Sequence, residues 1–380
     1  MKNFAVIGAG FGDEGKGMVI SSLCQQHPDA LVVRFCGGQQ AGHHVMLPNG
    51  LDHVFSNFGS GTLQGNPTYW SSHCTIDPIG IINELNVLLS KGIHPILFLN
   101  EMCPVTTPYE KYFNQRHEKL TNHGSCGVGV GQTIQRQEDH HSIRVMDLLY
   151  PSVLKMKIEL LKQYYSDAGF ASYTSGIDIP QFLDYCLMLV KDGHIKIIQN
   201  RPHYNILIFE GSQGLLLDQN YGFFPHVTRA NTGTTNVLKH LGFKSDRAER
   251  PDINIYLVTR SYQTRHGNGP MTNQGLGRLW NNPHEGQIVG GWQGEFRQSA
   301  LDLDLLKYAI HSDWLIKQRR DISLVITCMD YGEPFFLTED GKLLIYAMER
   351  DFVIKIEDSL AIKRIFLSRD PFPGLEEFDG

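Results

Sequence analysis

The stretch Phe4-Ala5-Val6-Ile7-Gly8-Ala9-Gly10-Phe11-Gly12-Asp13-Glu14-Gly15-Lys16-Gly17-Met18-Val19-Ile20 decides how the remainder of the chain is read. A short apolar, β-prone run ends in glycines, and an apolar helical pattern follows. That is the grammar of strand, phosphate loop and helix, in which free backbone N–H groups and the helix dipole receive an anion. Two familiar spacings nearly fit. The dinucleotide fingerprint G-x-G-x-x-G begins at Gly8 but meets Asp13, whose charge opposes a pyrophosphate. The Walker spacing G-x-x-x-x-G-K-[ST] runs from Gly10 through Gly15 and Lys16, then meets Gly17 where a metal-binding hydroxyl is usual. Asp13 inside the loop can hold the metal directly, since Mg²⁺ takes one or two carboxylates together with phosphate oxygens. A metal–nucleotide loop is the reading. The bland alternative is a tight βα turn whose glycines serve packing alone.

A chain of 380 residues has ample length for a full core, arranged as one large domain or two. Its 41% hydrophobic and 19% charged content are those of a soluble globular protein. The formal charge of −6 argues against a protein that coats nucleic acid, which carries a basic excess. Local Lys and Arg residues still permit a small anionic ligand. No apolar run reaches the roughly 18 residues of a membrane span. The N-terminus enters a strand at once, which leaves no room for a signal peptide, and a cytoplasmic location is expected. Seven cysteines without a C-x-x-C pair fit reduced thiols. Adjacent histidines such as His43-His44 and His140-His141 point apart and make poor metal clamps, so no zinc site is expected.

Further strand-and-loop units follow the first. Ala30-Leu31-Val32-Val33-Arg34-Phe35 runs into Gly37-Gly38-Gln39-Gln40-Ala41-Gly42-His43, a loop where backbone can approach a ligand and His43 can serve as a general acid. Asp77-Pro78 to Leu89 reads as a helix with Pro at its start, and Ile96-Leu97-Phe98-Leu99 as a buried strand. Residues 104 to 150 are polar, with Gly124-Ser125-Cys126-Gly127-Val128-Gly129-Val130-Gly131 suited to wrap an anion or to act as a hinge. Residues 151 to 200 look largely helical. Ile206-Leu207-Ile208-Phe209 leads to Gln213 at a strand's carboxyl end, where open α/β sheets bind ligands, and its amide suits a purine edge. The hydroxyl-rich turn around Thr228 suits phosphate, and Asp330, after Leu324-Val325-Ile326-Thr327, can accept guanine N1–H and N2–H together. Glu376-Glu377 is read as a solvated tail. The fold expected is α/β: a single large domain over residues 1–380, built around a wide, mainly parallel sheet with a P-loop-like phosphate loop.

Taken together these stations resemble adenylosuccinate synthetase. Gly12-Asp13-Glu14-Gly15-Lys16-Gly17 matches that family's phosphate loop, and Gly37-Gly38-Gln39-Gln40-Ala41-Gly42-His43 resembles its G-G-x-N-A-G-H signature. Glu210-Gly211-Ser212-Gln213-Gly214, Tyr221-Gly222…Pro225…Val227-Thr228, Thr264-Arg265…Gly267…Gly269-Pro270 and Thr327…Asp330 follow in the family's order. The resemblance implies a ligase that joins L-aspartate to C6 of a 6-oxopurine nucleotide, using a nucleoside triphosphate to phosphorylate O6 first. It implies Asp13 as the base at N1 and a Mg²⁺ ligand, the Gly42 carbonyl as a second ligand, and His43 as the acid at the transferring phosphoryl group. Lys16 and the amides of Gly12, Glu14, Gly15 and Gly17 would hold phosphates, with Gln40, Ser125 and Cys126 beside the nucleotides. Gln213 would contact the base, Thr228 the 5′-phosphate and Asp330 the base of the triphosphate.

Departures from the family pattern fall around both nucleotides. Gln40 stands for the usual Asn, Ser125-Cys126-Gly127 for Thr-Thr-Gly, and Cys328 for the Lys two residues before Asp330. The arginine-rich aspartate site is reduced to one clear cation, Arg297, whose fork suits a carboxylate. Kept chemistry with altered pockets resembles a phage branch that makes 2-aminoadenylosuccinate from dGMP for diaminopurine DNA, although that branch often lacks the residue that is Asp13 here. The favoured substrate is dGMP, with IMP and GTP as the alternative, and ATP, dATP or GTP all remain open as donor. The resemblance also implies a homodimer with sites completed across the interface by Arg136 or Arg144, and no nucleic-acid or membrane partner. Rival classes fit less well. A P-loop kinase or GTPase explains Lys16 but not Gly17 or His43, Asp13 disfavours a dinucleotide oxidoreductase, and a nucleotide sensor need not place Asp13 with His43.

Overall fold

Alternation along the first strand sets the layers. The computed structural model describes residues 1–121, 124–170, 177–243, 251–277, 292, 294–319, 321–331 and 333–379. In β1 (Lys2–Gly8) every residue from Asn3 onward is buried. Phe4 and Val6 pack with Met18, Val19, Ile20 and Leu23 of α1 (Lys16–Gln26), while Ala5 and Ile7 join the core on the opposite face. A strand covered on both faces must be apolar throughout, because successive side chains enter opposite layers.

Four short strands come next: β2 (Leu31–Arg34), β3 (His43–Met46), β4 (Asp52–Phe55) and β5 (Thr68–Trp70). Then α2 (Pro78–Ser90) starts where the sequence places it, with Asp77 accepting the Ile79 N–H as N-cap and Pro78 opening the first turn. β6 (Leu97–Asn100) is followed by α3 (Pro108–Thr121) and α4 (Val130–Glu138), so the polar region holds two helices as well as the glycine loop. After α5 (Pro151–Tyr165) and α6 (Ile179–Lys191) the chain adds β7 (Ile195–Ile198), a strand that the helical reading of this region missed.

The second half runs β8 (Ile206–Gly214), α7 (Thr235–His240), β9 (Asn254–Arg260), β10 (Tyr262–His266), β11 (Phe296–Asp302) and α8 (Leu303–Ser312). It ends with β12 (Ser323–Thr327), β13 (Phe335–Glu339), β14 (Lys342–Tyr346), α9 (Glu349–Leu360), β15 (Arg364–Leu367) and β16 (Glu376–Glu377). Glu376-Glu377 is thus no free tail: it pairs antiparallel with Phe366 and Leu367.

Among the described residues ten strands form the main sheet, in the order β16-β15-β12-β9-β1-β8-β2-β5-β6-β7. Every neighbouring pair is parallel except β15 with β16. All the parallel strands therefore end along one edge, with β1 near the middle. The smaller sheet β10-β11-β13-β14 was not legible in the sequence, and it carries the β10–β11 arm back toward the loop after β1.

Candidate active site

A cavity of about 1470 Å³ opens over the carboxyl ends of β1, β2, β8, β9 and β12. Pockets for one small ligand run to roughly 300–1,000 Å³, so there is room for more than one here. The loop after β1 forms its centre. Gly12, Asp13 and Gly15 all have positive φ (96°, 59° and 89°), which bends the chain sharply before α1.

The loop interior corrects the expectation of free amides. Glu14 is buried, and its Oε1 accepts from the Gly10 N–H at 3.0 Å and the Gly12 N–H at 2.9 Å, while Oε2 pairs with Lys16 Nζ. A carboxylate of the chain itself fills the place that an isolated motif leaves for phosphate. Glu14 thus acts as an internal brace, and Lys16 is buried against it. Gly17 has an equally local explanation. A side-chain carbon there would lie 2.9 Å from His43 Cβ and 3.1 Å from Ser60 Oγ, so no hydroxyl-bearing residue fits.

His43 opens β3, whose alternation buries His43 and exposes His44. Its Nδ1 lies 2.5 Å from Glu210 Oε1 and 3.3 Å from Ser60 Oγ. Glu210 is fully buried, accepts the Ser60 N–H at 3.2 Å, and also takes the Ser60 hydroxyl. Burial works to raise the Glu210 carboxyl, but His43, Arg34 and Ser60 outweigh it and hold it at about 2. Burial pushes the His43 imidazole below its ordinary value, against the upward pull of Glu210. The ionised partner is therefore Glu210. It fixes the proton on Nδ1 and leaves Nε2, buried and without a hydrogen-bond partner among the described residues, as the working nitrogen.

Beside this pair lie the two glutamines. Gln213 Oε1 and Gln40 Nε2 fall 2.9 and 3.0 Å from the point that a side-chain carbon on Gly37 would occupy. Both atoms of the Gln40 amide and Oε1 of Gln213 are buried and unpartnered among the described residues. Unsatisfied buried amides are costly, by about 1–3 kcal/mol each, and mark a place for a polar ligand. The glycine loop closes this side. Glu118 accepts the Gly124 and Ser125 N–H groups, Asn114 Nδ2 donates to Ser125 Oγ at 2.9 Å, and Cys126 Sγ lies 3.9 Å from the Gln40 carbonyl oxygen.

On the opposite side, Asp13 meets groups that sequence reading passed over. His266 Nε2 lies 3.2 Å from Asp13 Oδ2, and Arg260 Nε donates to the Asp13 carbonyl. Burial works to raise the Asp13 carboxyl and is outweighed by His266, then Arg260 and Lys16, which hold it at about 2. Its side chain is still 43% exposed, so it remains reachable from the cavity. Arg265 also lines the cavity, its guanidinium 4.2 Å from the Phe11 ring centroid, and burial and the neighbouring Arg297 lower its proton affinity to about 10.

Arg297, expected to face the substrate, does not line the cavity. It sits opposite Arg265 in the β10–β11 register and donates from Nη2 to the Gly269 carbonyl at 2.6 Å. Arg136 is corrected too: it is fully buried in a pair with Glu110 at 2.8 Å and cannot reach a partner, whereas Arg144 is only partly covered. Thr228 lines the cavity, its N–H donating to the Leu217 carbonyl at 2.8 Å. Asp330 lines it beyond β12 beside Asp370, and burial and then the Asp370 charge raise its carboxyl.

Strand order spaces these groups. β2 and β12 lie on either side of β1, four strand spacings or roughly 19 Å apart. Gln40 follows one and Asp330 the other, with the Asp13 loop between. The layout suits two nucleotides meeting at their reactive ends. For a cation, Asp13 offers an ionised carboxylate and Gly42 lies exposed in the same lining, which fits an oxygen-preferring ion such as Mg²⁺. Among the described residues no group of three or more His, Cys, Asp or Glu side chains can hold a metal alone, so phosphate oxygens would have to complete its shell.

Comparison with known proteins places these features in context. The model of the family described as adenylosuccinate synthetase matches residues 5–330. The adenylosuccinate synthetase of Thermodesulfovibrio yellowstonii is 31% identical, over 82% of this chain and 74% of its own. The fully ligated adenylosuccinate synthetase of Plasmodium falciparum superposes with a TM-score of 0.76 at 20% identity, covering 97% of this chain and 98% of its own. The succinoaminodeoxyadenylate synthetase of cyanophage S-2L, solved with dGMP and dATP, gives 0.64 at 14% identity, covering 99% and 95%. At these identities the two structures speak for the fold alone. No helix among the described residues is long and apolar enough to cross a membrane.

Proposed function

This chain belongs to the adenylosuccinate synthetase family, and on that premise we propose that it joins L-aspartate to C6 of dGMP through a 6-phosphoryl intermediate. Members of the family are ligases that form a C–N bond with hydrolysis of a nucleoside triphosphate. Asp13 takes the N1 proton, and O6 attacks the γ-phosphoryl group of the triphosphate. His43, held by Glu210, presents Nε2 to the transferring oxygens, whose negative charge raises its proton affinity. The aspartate amine then attacks C6, phosphate leaves, and the amine sheds a proton. Bound Mg²⁺, held by Asp13 and the Gly42 carbonyl, would offset phosphate charge.

The observation that carries the choice of dGMP is the pair of buried amides. Gln213 Oε1 and Gln40 Nε2 meet at one spot, with Gln40 Oε1 the other arm of the same buried amide, and among the described residues none of the three has a hydrogen-bond partner. Hypoxanthine offers N1–H alone on that edge, and Asp13 claims it. Guanine adds an N2 amino group with two more donors. The cyanophage neighbour, which shares the fold, was solved with dGMP bound. Across the sheet, Asp330 would read the base of the donor triphosphate, and Arg144 is the arginine left to complete a site across a homodimer.

The test is phosphate release with Mg²⁺ and L-aspartate, crossing IMP, GMP and dGMP with ATP, dATP and GTP. Release that needs aspartate and is fastest with dGMP is expected. Equal or better turnover of IMP overturns the substrate choice, and release indifferent to aspartate overturns the ligase assignment for this chain.

A further inference from the structure

Asp13 stands on a loop whose backbone alone would not hold its carboxylate still. It has φ 59°, in the left-handed region, and follows Gly12 at φ 96°. Its side chain is short, half open to the cavity, and free to rotate unless something fixes it. The loop after β1 is tied down by other strands. Arg260 at the end of β9 donates to the Asp13 carbonyl, and Thr327 at the end of β12 donates from Oγ1 to the Glu14 carbonyl at 2.8 Å. Both of these ties hold main chain. The tie on the carboxylate itself is His266, the last residue of β10, with Nε2 3.2 Å from Oδ2.

His266 is itself well placed to act as an anchor. It lies in a strand rather than a loop, paired in register with Phe296, and its ring packs on the Phe296 ring at a centroid distance of 4.8 Å. Both residues line the cavity. A ring fixed by a sheet and a neighbouring aromatic has little freedom left to lose when it holds a partner.

We propose that His266 is a positioning residue for Asp13, binding one carboxylate oxygen to the second sheet so that the other meets the purine N1–H. The proposal rests on the reading of Asp13 as the base. Proton abstraction and phosphoryl transfer demand near-attack geometry, and a misplacement of about 1 Å costs on the order of 100-fold in rate. His266 makes the carboxylate's approach a property of the β10–β11 arm. The same arm carries Arg265, which lines the cavity, so one strand pair both ties the base and supplies a cation to the site.

The experiment compares His266→Phe, which keeps an aromatic contact with Phe296 but removes the donor, with His266→Gln, which restores a donor. His266→Ala serves as a second loss variant in case the phenylalanine disturbs folding. Each is assayed for kcat and for monophosphate KM, using whichever monophosphate the wild type turns over best. The first half-reaction is followed separately, by scrambling of a labelled β–γ bridging oxygen of the triphosphate with aspartate omitted. Affinity for the monophosphate alone is measured by calorimetry. Expected is a fall of about 10- to 100-fold in kcat and in scrambling for Phe and Ala, with monophosphate affinity within about twofold of wild type and recovery to within a few-fold in Gln.

Wild-type scrambling in His266→Phe and His266→Ala overturns the proposal. So does weakened monophosphate binding with kcat unchanged, which would make His266 a wall of the binding site. A fall shared equally by Gln also overturns it, since the donor would then be irrelevant. If the base assignment itself fails, Asp13→Asn retains scrambling in the otherwise unaltered chain. If only the substrate reading fails, wild type prefers IMP while the order of the His266 variants is unchanged.

Discussion

Gly17 lies directly under His43: a side-chain carbon at position 17 would come within 2.9 Å of His43 Cβ. The missing Walker hydroxyl is therefore a consequence of packing the acid onto the start of α1. Gly17→Ser restores the Walker spacing on paper. It is expected to lower kcat at least tenfold and to cost about 1–3 kcal/mol of stability, as overpacking does. Steady-state rates with urea unfolding check this, and a Gly17→Ser enzyme of normal activity would refute it.

Glu210 holds His43 Nδ1 at 2.5 Å, and Ser60 holds Glu210. Glu210→Gln keeps the shape but removes the charge and allows the wrong tautomer. Related carboxylate–histidine pairs lose up to about 10⁴ in kcat on such a change. A loss of about 100-fold or more in kcat with monophosphate KM little altered is expected. A change confined to KM would mean that His43 serves binding instead.

Burial of His240 against Phe209, Tyr69 and His73 lowers its imidazole from 6.5 to about 4. Between those values the unfolded chain binds a proton that the folded chain refuses, so stability rises with pH across the window and falls as pH drops through it. Unfolding free energy should be lower at pH 5 than at pH 7 by about 2 kcal/mol on account of this residue. Urea titrations of wild type and His240→Phe at both values decide it: equal pH slopes in the two proteins would exclude His240 as the source.

Arg136 and Arg144 lie close in sequence and should behave oppositely. Arg136 is buried with Glu110 and also donates to the His141 and Val105 carbonyls, so Arg136→Ala leaves a buried carboxylate without its cation, held only by the Thr107 N–H and the Tyr165 hydroxyl, at a cost of about 3–5 kcal/mol. Arg144→Ala should leave the melting temperature nearly unchanged and lower activity, if a second copy uses it. Recovery of activity on mixing Arg144→Ala with another inactive variant would mark a shared site, and wild-type activity in Arg144→Ala would remove it from the site.

Gln40→Asn tests the substrate reading from the protein side. Shortening the amide withdraws both of its unpartnered polar atoms from the spot it shares with Gln213. The ratio of dGMP to IMP turnover should fall by about tenfold, the scale of one hydrogen bond in a site. An unchanged ratio would place the purine edge elsewhere.

The sequence by itself determined the parallel sheet, the turn after β1 and the candidacy of Asp13, His43, Gln213 and Asp330. Those follow from local rules: buried parallel strands are continuously apolar, and their loops end along one edge. Residues that act through partners were different. Glu210 looked like the polar end of a strand until the register placed it against His43, 167 residues away. His266 and Arg260 are ordinary polar strand residues in one dimension, and only the return of the β10–β11 arm brings them to Asp13. Glu14, read as a phosphate contact, turned inward because two loop amides and Lys16 lay nearer than solvent. Arg136 was drawn into the core by Glu110. Local pattern encodes burial and backbone form, whereas the choice of partner for a charge depends on which distant strand end packing delivers beside it.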